Sequence, residues 1–96
     1  MIQRNDLLAF NFYKKEKFTG SHKGMRYLIR KETVEETNVF RVSVWPGPYN
    51  YASTEDSLKI DKSFEFTDAA LLEITDYLNE IYTQKKDYWQ SCMKYS

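Results

Sequence analysis

Two stretches of the chain carry residue types that could do chemistry: Thr19-Gly20-Ser21-His22-Lys23-Gly24 and Trp45-Pro46-Gly47-Pro48-Tyr49-Asn50-Tyr51. In the first, the glycines let backbone approach a ligand, Ser21 and His22 can donate hydrogen bonds, and Lys23 can neutralise an anion. The glycine spacing is not that of a P-loop, and no Ser or Thr follows a Gly-Lys pair. As structure alone, the stretch is a connector between two strands whose glycines take positive φ. His22 is the only histidine. Beside Lys23 it has the chemistry of a base or a phosphate ligand, but sequence assigns it no second partner. His22 and Cys92 lie at opposite ends, with no CxxC or HxxxH spacing, so no metal site is expected. Cys92 reads as a small apolar filler of the last helix. The pairs Glu35/Glu36 and Glu55/Asp56 sit in turn-like segments as solvated charges. None of these sets is complete, and the chain is read as a non-enzyme without metal or cofactor.

The second stretch is a candidate contact surface. Its prolines are rigid, and Trp45, Tyr49 and Tyr51 could present a flat aromatic patch of the kind that anchors partners. The alternative is that Trp45 and Tyr49 fold back to seal the open end of a sheet. A third candidate is a nucleic-acid surface. Arg26, Arg30 and Arg41 share one face of the two central strands with Ser43 and Trp45, and Lys14, Lys15, Lys17 and Lys23 lie at its margin. The alternation separates these arginines from Tyr27 and Phe40, so the stacking platform is incomplete. Cross-strand Arg–Glu pairs on a solvated face explain the same residues.

The elements that must position these residues follow from periodicity. Leu7 to Tyr13 is expected as a first strand, with Leu8, Phe10 and Phe12 alternating, and Lys14 to Gly24 as a loop. Met25 to Lys31 and Val39 to Trp45 are clearer strands forming an antiparallel hairpin across the polar turn 32–38. Pro46 and Pro48 stop the second of them. Tyr49 to Asp61 is a long connection in which Ser53 or Thr54 could cap one short turn. Lys62 to Phe66 is a short last strand. Thr67 caps a helix carrying the stripe Leu71, Ile74, Leu78 and Ile81, and helix continues or restarts through Tyr88, Trp89 and Cys92. The expected fold is α+β: an antiparallel sheet of three to four strands with a C-terminal helix packed on one face.

Composition sets the bounds. The 96 residues fit one domain, 1–96, and the 16 aromatic residues must serve a thin core. One cysteine excludes an internal disulfide, and no apolar run is long enough for a signal peptide or a membrane span, so the cytoplasm is the expected compartment. Net charge is zero, yet residues 1–31 carry eight Lys/Arg against two Asp/Glu, and residues 32–96 carry six against twelve. That asymmetry suits either an anionic partner or mutual attraction within the fold. The aromatic run Tyr88, Trp89, Met93 and Tyr95 exceeds what a terminal helix needs, which raises homodimerisation or partner docking.

The segments Phe18-Thr19-Gly20-Ser21-His22-Lys23-Gly24-Met25-Arg26-Tyr27 and Trp45-Pro46-Gly47-Pro48-Tyr49, with Phe64-Glu65-Phe66 and Tyr77-Leu78-Asn79-Glu80, resemble small uncharacterised proteins of Gram-positive bacteria. Those proteins are often carried on conjugative or other mobile elements. The resemblance implies an accessory protein of such an element and brings no catalytic residues. The expected function is a small non-catalytic protein-binding domain, with His22, Lys23, Arg26, Arg30, Arg41, Trp45 and Tyr49 as candidate contacts. The alternative is nucleic-acid binding through the basic sheet face and loop.

Overall fold

The computed structural model describes residues 2–7, 9–47 and 51–93. Four strands, β1 (Phe18–His22), β2 (Met25–Val34), β3 (Thr37–Pro46) and β4 (Ile60–Glu65), form one antiparallel sheet in sequential order, so β1 and β4 are its edges. Two helices follow, α1 (Asp68–Gln84) and α2 (Lys86–Met93). The fold class is the expected α+β, with α1 on one face of the sheet.

The first strand lies later than the periodicity suggested. Residues 4–6 and 10–14 are two 3-10 turns instead. With three residues per turn, Phe10 and Tyr13 fall on the same side, and Tyr13 is buried against Phe40. The apparent alternation at Phe10 and Phe12 was thus the signature of a different period. Conversely, β1 occupies what reads as a loop. Phe18, Gly20 and His22 point inward, and a Cβ at Gly20 would lie 2.6 Å from the Tyr27 ring. Gly20 is therefore no breaker. It is the gap that a cross-strand tyrosine fills.

Register carries the rest of the core. Tyr27 pairs with Val44, Ile29 with Val42, and Phe40 with Phe64, all on the face covered by α1. From α1, Ala70, Leu71, Ile74, Leu78 and Tyr82 are buried against them. Ile81, expected in the stripe, is only half-buried, and Tyr82 takes its place. The Thr67 hydroxyl accepts the Ala70 N–H at 3.1 Å, as the cap reading requires. Asn79 ties the N-terminal segment to α1, accepting the Ile2 N–H at 2.9 Å and donating to the Ile2 carbonyl at 2.8 Å. Helix breaks once, at Lys85, so that Trp89 turns back into the core. The Trp89 indole N–H donates to the Ile81 carbonyl at 3.2 Å, which also accepts the Lys85 N–H at the end of α1.

Both hairpin turns have two central residues at positive φ, the geometry that matches strand twist. Lys23 and Gly24 make one (φ 47° and 91°), and Glu35 and Glu36 make the other (φ 50° and 67°). Two adjacent non-glycine residues in this region are strained, and here they are also like charges. Replacing them with Asn-Gly is expected to stabilise the fold by about 1–2 kcal/mol, read as a higher midpoint in chemical denaturation. An unchanged or lower midpoint would mean that the tip is not strained.

Candidate functional site

The sheet face opposite α1 carries the residues proposed for nucleic acid. Arg26, Leu28, Arg30, Arg41, Ser43 and Trp45 do project to this one side, as the cross-strand partners show. The face is closed, however, where it was expected to be open. Trp45 is 0% exposed, and so is Ser43, whose hydroxyl donates to Asp61. The cover is the connection between β3 and β4. Tyr51 lies edge-on to Trp45 with ring centroids 5.5 Å apart. Its ring is flanked by Lys59 at 4.0 Å and Arg30 at 5.5 Å. Trp45 is thus a second-face core residue, and removing so large a buried ring costs about 3–5 kcal/mol. The short turn expected in this connection is present at Asp56–Leu58, but its N-cap is Glu55 and no side chain caps it.

Two of the arginines share one carboxylate. Arg30 and Arg41 are directly opposed across β2 and β3, an unfavourable pair on its own. Glu32 sits between them, with one carboxylate oxygen 3.0 Å from Arg41 and the other 3.5 Å from Arg30. Arg30 is further held in its charged form by its hydrogen bond with Tyr51. What was read as a basic binding face is therefore largely a structural triad.

His22 and Lys23 also find structural roles. The β1–β2 turn meets the end of β3, where the Gly47 N–H donates to the Gly24 carbonyl at 2.8 Å. The two sequence stretches therefore converge in backbone, but not in side chains. Trp45 and Arg26 face one side, whereas the His22 ring lies on the helix side, edge-on to Tyr82 at 4.6 Å. Desolvation chiefly, with the N-terminal charge and then Lys23 adding to it, lowers the His22 pKa below its ordinary value. Lys23 occupies the turn itself. Tyr49 and Tyr95 lie outside the described residues, as do the side chains of Cys92 and Met93.

Two concavities emerge elsewhere, the first unmarked in the sequence and the second among lysines read there as the margin of the basic face. A groove of about 650 Å³ runs between the 56–58 turn and the α1–α2 break. Leu58, Ile60, Tyr88 and Trp89 give it apolar walls, and Lys85 and Lys86 sit at its rim with Asp87. Leu58 and Tyr88 remain 42% and 44% exposed, whereas Trp89 is buried. The polar run Thr83-Gln84-Lys85-Lys86-Asp87, which interrupts the apolar stripe after Tyr82, was the available signal for the break that forms this groove. A shallower depression of about 350 Å³ collects Lys14, Lys15, Lys17, Arg30 and Lys31 around Tyr13 and Glu16.

The position of His22 makes stability pH-dependent. A folded-state pKa below the unfolded value means that the unfolded chain binds the proton more readily, so stability falls as pH drops through about 6.5. Substitution His22→Asn is expected to flatten the dependence of the denaturation midpoint between about pH 7 and 5.5. An unchanged slope would show that the ring titrates as in the unfolded chain. Among the described residues no helix is long and apolar enough to cross a membrane. Comparison with known proteins finds no family model, no curated protein and no solved structure that matches this chain.

Proposed function

We propose that the protein is a non-catalytic binding module that takes an apolar segment of a protein partner into the groove between the 56–58 turn and α2. The observation that carries this reading is the pairing of Leu58 and Tyr88. Both are large and apolar, both stay exposed, and they stand on opposite walls of one concavity. Buried pockets that accept an aromatic or aliphatic anchor, rimmed by polar groups, supply most of the affinity in protein interfaces. The Lys85 ammonium lies 5.9 Å from the Tyr88 ring and 6.0 Å from the Trp89 ring, which keeps the aromatic wall in place and puts a charge at its margin. The resemblance of segments 18–27 and 45–49 to proteins of mobile elements sets such a module among accessory proteins acting on a host or element-encoded partner.

A second reading is favoured by the depression around Lys14, Lys15, Lys17 and Lys31, where five cations face one carboxylate. It transfers the nucleic-acid proposal from the sheet face to the end of the sheet. Affinity there comes from phosphates and falls steeply with salt.

A photo-crosslinking side chain at position 88, used in cells that express the protein, distinguishes the two. The groove reading predicts a discrete protein adduct that Leu58→Asp abolishes and Lys15→Glu leaves in place. Leu58 is exposed, so the substitution is expected to change stability by less than about 0.5 kcal/mol. Loss of the adduct with Lys15→Glu, or salt-dependent binding of oligonucleotides shifting residues 14–17 and 31, would transfer the function to the basic depression.

A further inference from the structure

The outer edge of β4 is a row of backbone donors and acceptors that no strand of the described residues pairs. Such an edge is a template for another chain. Beside it runs a groove of about 590 Å³ between β4 and α1. Its floor is aromatic, with Phe64 and Tyr77 in edge-on contact at 5.4 Å. Its helix wall carries Glu73, Asp76 and Glu80, spaced three and four residues apart and so on one side of α1.

We infer that an extended basic segment of a partner protein adds as a fifth strand on β4, with alternate Lys or Arg side chains reaching the carboxylates of α1. In this mode main-chain hydrogen bonds give affinity, and the groove reads every second side chain. The six residues of β4 span about 20 Å, enough to pair five or six residues of a ligand. Charge complementarity selects the occupant. Three carboxylates of α1 face one cation, Lys62, whose ammonium lies 5.0 Å from the Tyr77 ring and 5.3 Å from that of Phe64. Burial first, and then Asp61 and Glu80, raise the Tyr77 pKa, consistent with a negative potential at the floor. Lys62 is the guard of this edge: a central cation on an exposed strand discourages unselective pairing. The surface shares only Ile60 with the groove at α2, and residues 61–65 report on β4 alone, so either can fail without the other.

The test is titration of labelled protein with a nine-residue, end-blocked peptide alternating Lys and Val, against the same peptide with Glu for Lys. The Lys peptide should shift and protect the amides of residues 60–65, with affinity falling between 50 and 500 mM salt. Glu73→Lys and Glu80→Lys should each weaken it about threefold to fivefold, and Lys62→Glu should strengthen it by a similar factor. All three side chains are exposed, and circular dichroism will confirm that each variant is folded. Equal binding of both peptides, or no protection on β4, would overturn the proposal. Protection of β4 that rises with protein concentration without peptide would also overturn it, by assigning the edge to a second copy of this chain.

Discussion

The edge-on contact between Tyr51 and Trp45 closes the second face of the sheet, and the two long strands depend on it. Residues 27–29 of β2 and 42–46 of β3 are buried without interruption, so these segments point apolar or satisfied groups to both sides. A single helix layer can cover only one of them. The second helix, α2, packs Trp89 into the same core as α1, and a long connection covers the other face instead. Tyr51 suits the task because its ring covers Trp45 while Lys59 and Arg30 lie over the ring. Weakening that cover would expose an indole and leave the Arg30–Glu32–Arg41 arrangement wetter and less ordered.

Charge is organised around this two-sided core. The excess of cations in the first third of the sequence gathers where the chain passes the end of β2, at Lys14, Lys15, Lys17 and Lys31. The excess of carboxylates gathers at the opposite edge, along β4 and α1. Arg30 and Arg41 at the sheet centre share the carboxylate of Glu32, which offsets one of their two charges, and Arg30 also lines the basic depression. Zero net charge therefore conceals a separation of sign between the two edges of one sheet, and the molecule presents different chemistry to partners arriving from either side.

The parts legible in the sequence were those with a long, unbroken period. Met25 to Lys31, Val39 to Trp45 and the helix after Thr67 each repeat one spacing and each lies within an observed element, but β2 runs on to Val34 and β3 from Thr37 to Pro46, through residues that read as turn or stop. The N-terminal segment misled because Phe10 and Phe12 alternate by accident within a 3-10 turn, whose real neighbours are Phe10 and Tyr13. β1 was hidden by Gly20, since a glycine that makes room for a neighbouring ring looks like one that breaks a strand. For the candidate sites, the face shared by Arg26, Arg30, Arg41, Ser43 and Trp45 was read correctly, and its closure was not. No local pattern announces that Tyr51 folds back onto Trp45. The groove between Leu58 and Tyr88 joins residues thirty positions apart and was equally invisible, apart from the polar interruption at 83–87.

The unequal hairpin tips have a kinetic consequence. The Lys23-Gly24 turn meets its positive-φ demand with a glycine, whereas Glu35-Glu36 meets it with two mutually repelling side chains. A ribbon normally closes from its turn outward, but here the turn between β2 and β3 is the costly end and the interior pairs, Ile29 with Val42 and Tyr27 with Val44, are the rewarding ones. Assembly should then begin with β1 on β2, add β3 through its buried middle, and zip toward the 35–36 tip last. Folding-rate analysis would register that order as transition-state values near zero at the tip and high ones around Ile29 and Val42. The arm that projects from the sheet is accordingly the part of the molecule that folds late and opens first.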